Sequence, residues 1–236
     1  MFGRLLAARP PHFVREYQNL VSFLARDAKS EFDLAERAVG GSYEEAGAKQ
    51  AKLVLEVAPE GPFKLIDVGC GSGRAAFALR EVERLDYLGT DVVPSLLAFA
   101  RQKTNRPDWR FQAVTDLQIP AADGCADVAL FMSVFTHLRP REIQELVGEA
   151  YRVLKAGGAI ICSYLAKDNP HHVKLFRSPW RQRLARMIGQ DVMITFTTEE
   201  ALSGQLRKAG FQIERSLKAD AGLGHFVLVG RKGRGS

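Results

Sequence analysis

Six residues have the types and spacing to hold a nucleotide-like ligand. Residues 65–74, Leu-Ile-Asp-Val-Gly-Cys-Gly-Ser-Gly-Arg, set an apolar run, the carboxylate of Asp67 and three alternating glycines (Gly69, Gly71 and Gly73) before a helix-like segment. Only glycine turns a backbone this tightly while letting a ligand come against it, and a helix N-terminus offers unpaired amides to polar atoms. Asp91 ends the next apolar run, 18 residues beyond Gly73, where a carboxylate can accept from both hydroxyls of a ribose. Asp116 follows the run after that, in position to accept from an exocyclic amine. For each acid the competing role is a turn or helix-cap carboxylate. The spacing is G-x-G-x-G, not the G-x-G-x-x-G of dinucleotide enzymes, and no Walker lysine follows the glycines. Farther on, Ser133-Val134-Phe135-Thr136-His137-Leu138 brings an imidazole near the same place. An ordinary pKa of about 6.5 suits it to general-base work; a helix-start or packing histidine is the alternative.

The elements that must position these residues alternate. Phe63–Val68 reads as a strand, Arg74–Arg84 as a helix, Tyr87–Thr90 as a strand and Pro94–Lys103 as a helix with proline in its first turn. Trp109–Val114 and Asp127–Ser133 are strands, Pro140–Leu154 a helix and Ala159–Leu165 a strand. Near-continuous apolar strands separated by helices mean a parallel sheet covered on both faces. After a helix opened by Thr197-Thr198-Glu199-Glu200, strands Phe211–Leu217 and Phe226–Gly230 follow with no helix between them, so they pair antiparallel. The expected fold is α/β: a three-layer, doubly wound sheet of about seven strands, mostly parallel, with an antiparallel C-terminal hairpin. Ahead of it, residues 13–24 show one apolar helix face, Ser30 starts a short helix, and Ser42-Tyr43-Glu44-Glu45 has the form of a capping box. The expected division is N-terminal helices in 1–58, covering a cofactor, and the α/β domain in 59–236 with a lid insertion at about 167–196.

In this order and spacing, Asp67–Gly73, Gly89-Thr90-Asp91, Val114–Leu117, Asp127–Ser133 and Arg152–Gly158 resemble the class I S-adenosylmethionine-dependent methyltransferases over roughly residues 42–231. The resemblance implies S-adenosyl-L-methionine as cofactor. Backbone at Gly69, Cys70, Gly71 and Gly73 would lie along its methionine and ribose portions, with Asp67 orienting the loop or the amino group. Asp91 would take the ribose hydroxyls, Asp116 and the Leu117 amide the adenine, and Ser133 and Val134 the methionine end. Tyr43 would close over the cofactor, or simply pack its helix. His137 would be the catalytic base if the acceptor is a hydroxyl. No Asn/Asp-Pro-Pro-Tyr ends the fourth strand and no proline precedes Cys125, departures that steer away from amino-methylating and cytosine-C5 DNA enzymes toward a small-molecule acceptor.

The acceptor side falls to Lys167–Phe196. His171, His172, Phe176 and Trp180 are its candidate substrate residues, and Lys174, Arg177, Arg181, Arg183 and Arg186 could meet a phosphate or carboxylate. A helix packed on the sheet edge with a wet basic back is the plainer account. The net charge of +6 is concentrated in residues 167–236, with 13 Lys/Arg against 6 Asp/Glu. That excess is either a solvated face or a surface for an anionic acceptor. An RNA acceptor, a non-catalytic cofactor-binding module and a nicotinamide-dependent oxidoreductase are the competing readings, and nucleic acid is disfavoured by the shortness of the basic run. Three cysteines with no CxxC and no long apolar stretch point to a cytoplasmic protein without a membrane span. No spacing marks a metal site, and nothing fixes the oligomeric state.

Overall fold

The computed structural model describes residues 10–39, 42–176, 192–218 and 224–234. In the interior of its sheet β1 (Phe63–Val68) is paired in parallel with β2 (Leu85–Asp91) on one side and β4 (Ala126–Phe131) on the other. β3 (Arg110–Ala113) extends the sheet beyond β2, and β5 (Leu154–Ala166) extends it beyond β4. The hairpin of β7 (Phe211–Leu217) and β8 (Phe226–Lys232) joins antiparallel, β8 against β5, giving the order β3-β2-β1-β4-β5-β8-β7. This is the mostly parallel, doubly wound sheet that the alternating pattern implies. An added β6 (Phe196–Thr197) pairs in parallel with Leu165 and Ala166 at the end of β5. Two residues carry no periodicity, so the sequence gives no sign of it.

Both faces of the sheet are buried, which is why its strands read as continuous apolar runs. Ile66, Leu88, Ala129 and Ile160 pack on one side with α6 (Pro140–Val153) and α8 (Glu199–Ala209). Leu65, Tyr87, Val128 and Ile161 pack on the other with α3 (Tyr43–Val57) and α4 (Arg74–Leu79). The caps follow the sequence: Ser42 accepts from the Glu45 amide, Thr198 from the Ala201 amide, and Gly210 ends α8 at φ +105°. α4 is shorter than expected, stopping at Leu79, and β2 is longer, starting at Leu85.

Two helices precede the capping box, α1 (His12–Leu24) and α2 (Glu31–Val39); α5 (Pro94–Thr104) lies beside β3, and α7 (Pro170–Phe176) follows β5. Strand order reverses beside β1: the chain runs outward through β2 and β3, then returns to β4 on the other flank. In such a sheet a crevice opens at the carboxyl ends of the two strands flanking the reversal. Among the described residues no helix is long and apolar enough to cross a membrane, and all three cysteines are free.

Candidate functional site

A cavity of about 540 Å³ occupies that crevice. Its floor on the β1–β2 side is the glycine loop. Gly69 has φ +68°, and a Cβ there would stand 2.6 Å from Cγ2 of Val134. Gly73, at φ +77°, begins α4 so close to α5 that a Cβ would stand 2.6 Å from the Ala100 Cβ. The loop is held from β2: the Cys70 amide donates to the Thr90 carbonyl (2.9 Å), and the Gly71 amide to Oδ2 of Asp91 (2.8 Å). Oδ1 of Asp91 accepts from the Val93 amide at 2.9 Å. Asp91 is buried, and burial raises its pKa against the pull of those amides. Asp67 is also buried; burial raises it to about 7, although the Tyr87 hydroxyl donates to its Oδ2 at 2.8 Å. Asp116 is exposed at the rim, where its Oδ1 accepts from the Gln118 amide.

The other end of the cavity is assembled from distant segments. Ser133, just past β4, has φ +62°, a left-handed backbone that costs a non-glycine residue about 1–3 kcal/mol unless its surroundings hold it. Here they do: its amide donates to Oγ of Ser163 (2.7 Å), its carbonyl accepts from the Thr136 hydroxyl (2.9 Å), and its Oγ lies 3.3 Å from Nδ1 of His225. His225 Nδ1 is equally close to Oγ of Ser163.

His137 closes a 3-10 turn, Phe135–His137. Its Nδ1 lies 2.9 Å from the Met193 carbonyl. A carbonyl only accepts, so Nδ1 carries the proton and the neutral ring leaves Nε2 unprotonated. Burial lowers the pKa of His137 to about 4, and burial with the neighbouring His137 and His172 lowers His225 to about 4. The Tyr17 ring stands edge-on to His137, 5.0 Å between centroids. From α1, Oε2 of Glu16 accepts from the Met193 amide (2.9 Å), His12 bridges Glu16 and Glu142, and Gln18 donates to the Val92 carbonyl (2.9 Å). Helix α1 is thereby tied across the cavity, with Phe13 and Tyr17 in its wall.

Of the residues expected from sequence, Asp67, Gly69, Cys70, Gly71, Asp91, Asp116, Leu117, Ser133, Val134 and His137 all border this one cavity. Gly73 stands behind it as the N-cap of α4. Tyr43 is not at the wall; it is fully buried and its hydroxyl donates to the Ser72 carbonyl (2.8 Å), bracing the loop from behind. Its position on the first turn of α3 points inward between helices, against Phe77 and Phe99. His171 is exposed and His172 buried, and neither borders the cavity. Nδ1 of His172 accepts from the Ala166 amide (2.8 Å), fastening α7 to the end of β5. Phe176 ends α7, its side chain outside the described residues, as is Trp180.

Sequence reasoning missed Phe13, Tyr17, Ile194 and His225, all in the wall. A signal for His225 was present: it immediately precedes β8, and an antiparallel strand starts where its parallel neighbours end. That places the residue before Phe226, paired with Tyr164, at the carboxyl edge of the sheet.

Residues 66–162 match the family model described as a methyltransferase domain. The chain is 26% identical over 181 residues to the demethylmenaquinone methyltransferase of Thermus thermophilus, covering 70% of this chain and 80% of that one. It is 22% identical over 174 residues to a tRNA N(3)-methylcytidine methyltransferase of Drosophila melanogaster, covering 70% of this chain but 54% of that one. A solved S-adenosylmethionine-dependent methyltransferase from Methanosarcina mazei shares the fold, with a TM-score of 0.59 at 19% identity over 77% of this chain and 98% of that chain. With the switch-point cavity and its glycine floor, these matches give residues 66–162 as a methyltransferase domain on the fold of S-adenosylmethionine-dependent methyltransferases and support S-adenosylmethionine as its cofactor.

Proposed function

We propose that the enzyme methylates a protic group on a small-molecule acceptor held at the histidine end of the cavity. The observation that carries this reading is the unprotonated Nε2 of His137, in the wall of the same cavity that the glycine loop floors. A cavity of this size lies within the range of roughly 300–1,000 Å³ usual for small-molecule sites.

The residues fit the cofactor. The Gly69 turn leaves no room for a side chain, and the Asp91 carboxylate, with about four lone-pair sites, accepts from the Gly71, Val93 and Val92 amides and keeps one for a ribose hydroxyl. Asp67, held near neutrality by burial, would ionise beside the cofactor's ammonium group. Asp116 and the Leu117 amide would hold the adenine, Gly69, Cys70 and Gly71 would lie along the cofactor with Gly73 supporting them, and Ser133 with Val134 would meet the methionine end. When bound, S-adenosylmethionine supplies a methyl group on a sulfonium, already activated for direct displacement. What remains for the chain is alignment, exclusion of water and one proton. Helix α1 and residues 192–195 exclude the water; His137 accepts the acceptor's hydrogen bond at Nε2 and takes the proton as the nucleophile gains its methyl group.

In this reading residues 1–58 serve as a cover and 167–196 as a lid whose far end, at Ile194, enters the wall, and the free cysteines fit a cytoplasmic setting. The tRNA enzyme among the relatives supports RNA as the second acceptor reading; binding to RNA that weakens steeply with salt would favour it. Calorimetry with S-adenosylhomocysteine against NAD tests the cofactor site, and transfer of a labelled methyl group to a panel of small alcohols, phenols and amines tests the acceptor. Cofactor binding with no small acceptor methylated, and RNA methylated instead, would refute the small-molecule reading.

A further inference from the structure

The acceptor end of the cavity has a chemistry of its own. Its apolar wall is Phe13, Tyr17, Leu138, Leu146, Leu165 and Ile194, drawn from α1, the end of the 3-10 turn, the middle of α6, the end of β5 and the 192–195 segment. Two of the six are aromatic, and such rings favour flat partners through offset or edge-on contact. The polar groups set into this wall, His137, His225, Ser133 and Thr136, all carry no charge at neutral pH, the histidines because burial lowers both to about 4.

Charge around the whole cavity runs the same way. Among the described residues its wall has one arginine, Arg74, and four carboxyl residues, Glu45, Asp67, Asp91 and Asp116. Arg74 lies in the field of Asp67, and its charge also reaches Tyr17 and His225, so the one cation of the described wall is already opposed by a buried carboxyl. Among the described residues, an anion brought to the apolar end would lose its hydration, a cost of several kcal/mol in a dry site, in a wall that sets four carboxyl residues against one arginine already engaged by Asp67. A neutral ring would gain roughly 25 cal/mol for each Å² of apolar surface it buries there.

We propose that the acceptor is an uncharged, largely apolar ring compound bearing a hydroxyl, seated against Phe13, Tyr17 and Ile194 with its hydroxyl at His137 Nε2. The anionic acceptor expected from Lys174–Arg186 finds no counterpart in the described wall, and residues 177–191 lie outside the described part. The inference deepens the methyltransfer reading and rests on it. It also makes the Phe13–Tyr17 face of α1 and Ile194 the parts that set acceptor specificity.

The test uses the full chain saturated with S-adenosylhomocysteine and two probes of the same shape, 2-naphthol and 2-naphthoate, at neutral pH. The naphthol should bind at least ~10-fold more tightly by calorimetry, equivalent to about 1.4 kcal/mol. In Ile194→Lys, a half-buried position, the ratio should fall at least ~10-fold or invert, while S-adenosylhomocysteine still binds. Naphthoate binding as well as or better than naphthol, or no naphthol binding at millimolar concentration, overturns the inference and leaves the cofactor reading standing. Failure to bind S-adenosylhomocysteine would instead remove the cofactor reading and this inference with it.

Discussion

The two ends of the cavity are built by opposite means. The cofactor end comes from short contiguous stretches: Asp67 to Gly73 in one turn, Asp91 at the next strand end, and a hydrogen bond from Gly71 to Asp91 that joins them. The acceptor end comes from α1, the 3-10 turn, β5, residues 192–195 and His225, more than 200 residues apart in the chain. Their buried titratable groups differ as well. Burial raises Asp67 and Asp91 at one end and lowers His137 and His225 at the other. In each case the uncharged form is favoured. One end keeps a buried carboxyl, Asp67, raised to about 7, for a cationic cofactor to ionise; the other keeps proton-free imidazoles for a protic acceptor.

The division predicts that damage at one end spares the other. The largest effect is expected for His137→Ala, which should lower turnover by ~100-fold or more with S-adenosylhomocysteine affinity nearly unchanged. Because His137 titrates near 4, wild-type kcat should rise as pH passes upward through about 4 and stay flat across neutrality, so far as this base limits it. Unchanged turnover would demote His137 to packing. Next, Asp91→Ala removes a charged acceptor from the Gly71 and Val93 amides as well as from the cofactor. A loss of about 1.5–3 kcal/mol corresponds to roughly 10–150-fold weaker S-adenosylhomocysteine binding. Retained affinity would remove Asp91 from its assigned role. Gly69→Ala puts a Cβ into a left-handed turn and against Val134; about 1–2 kcal/mol of backbone strain alone weakens cofactor binding by roughly 5–30-fold. If His225→Asn weakened S-adenosylhomocysteine binding as much as Gly69→Ala, the separation into two ends would be wrong.

The same contrast explains what was legible in the sequence. The sheet could be read because every buried strand writes its burial locally, as at Asp127-Val128-Ala129-Leu130, and the glycine corner because its conformational demand falls on neighbouring residues. Tyr43 and His172 misled because an inward-facing polar side chain looks the same in sequence whether it meets a ligand or, as here, the Ser72 carbonyl and the Ala166 amide. Phe13 and Tyr17 were legible as an apolar helix face, but the pattern names no partner, and theirs is a turn about 120 residues away. Ile194 lies in a stretch without helix or strand, where no periodicity exists to be read.

The finest consequence of the contrast is in stability against pH. Between pH about 4 and about 6.5, His137 and His225 are unprotonated when folded and protonated when unfolded. The unfolded chain then binds more protons, so each histidine makes stability rise with pH, by up to about 1.4 kcal/mol per unit. Their contribution is complete above the unfolded value and lost as pH falls toward 4. Asp67 has the opposite sign: its folded value of about 7 exceeds the unfolded one of about 3.9, so its contribution is present at low pH and lost as pH rises through about 7. Across pH 4.5–6.5 the two ends therefore pull the stability curve in opposite directions. In urea titrations at several pH values, His137→Asn and His225→Asn should each flatten the rise. Asp67→Asn, which keeps a partner for the Tyr87 hydroxyl, should steepen it by a comparable amount. Three variants with the wild-type slope would show that neither end holds its groups neutral. Slopes that changed in the same direction for Asp67 and the histidines would show that the ends are not opposed.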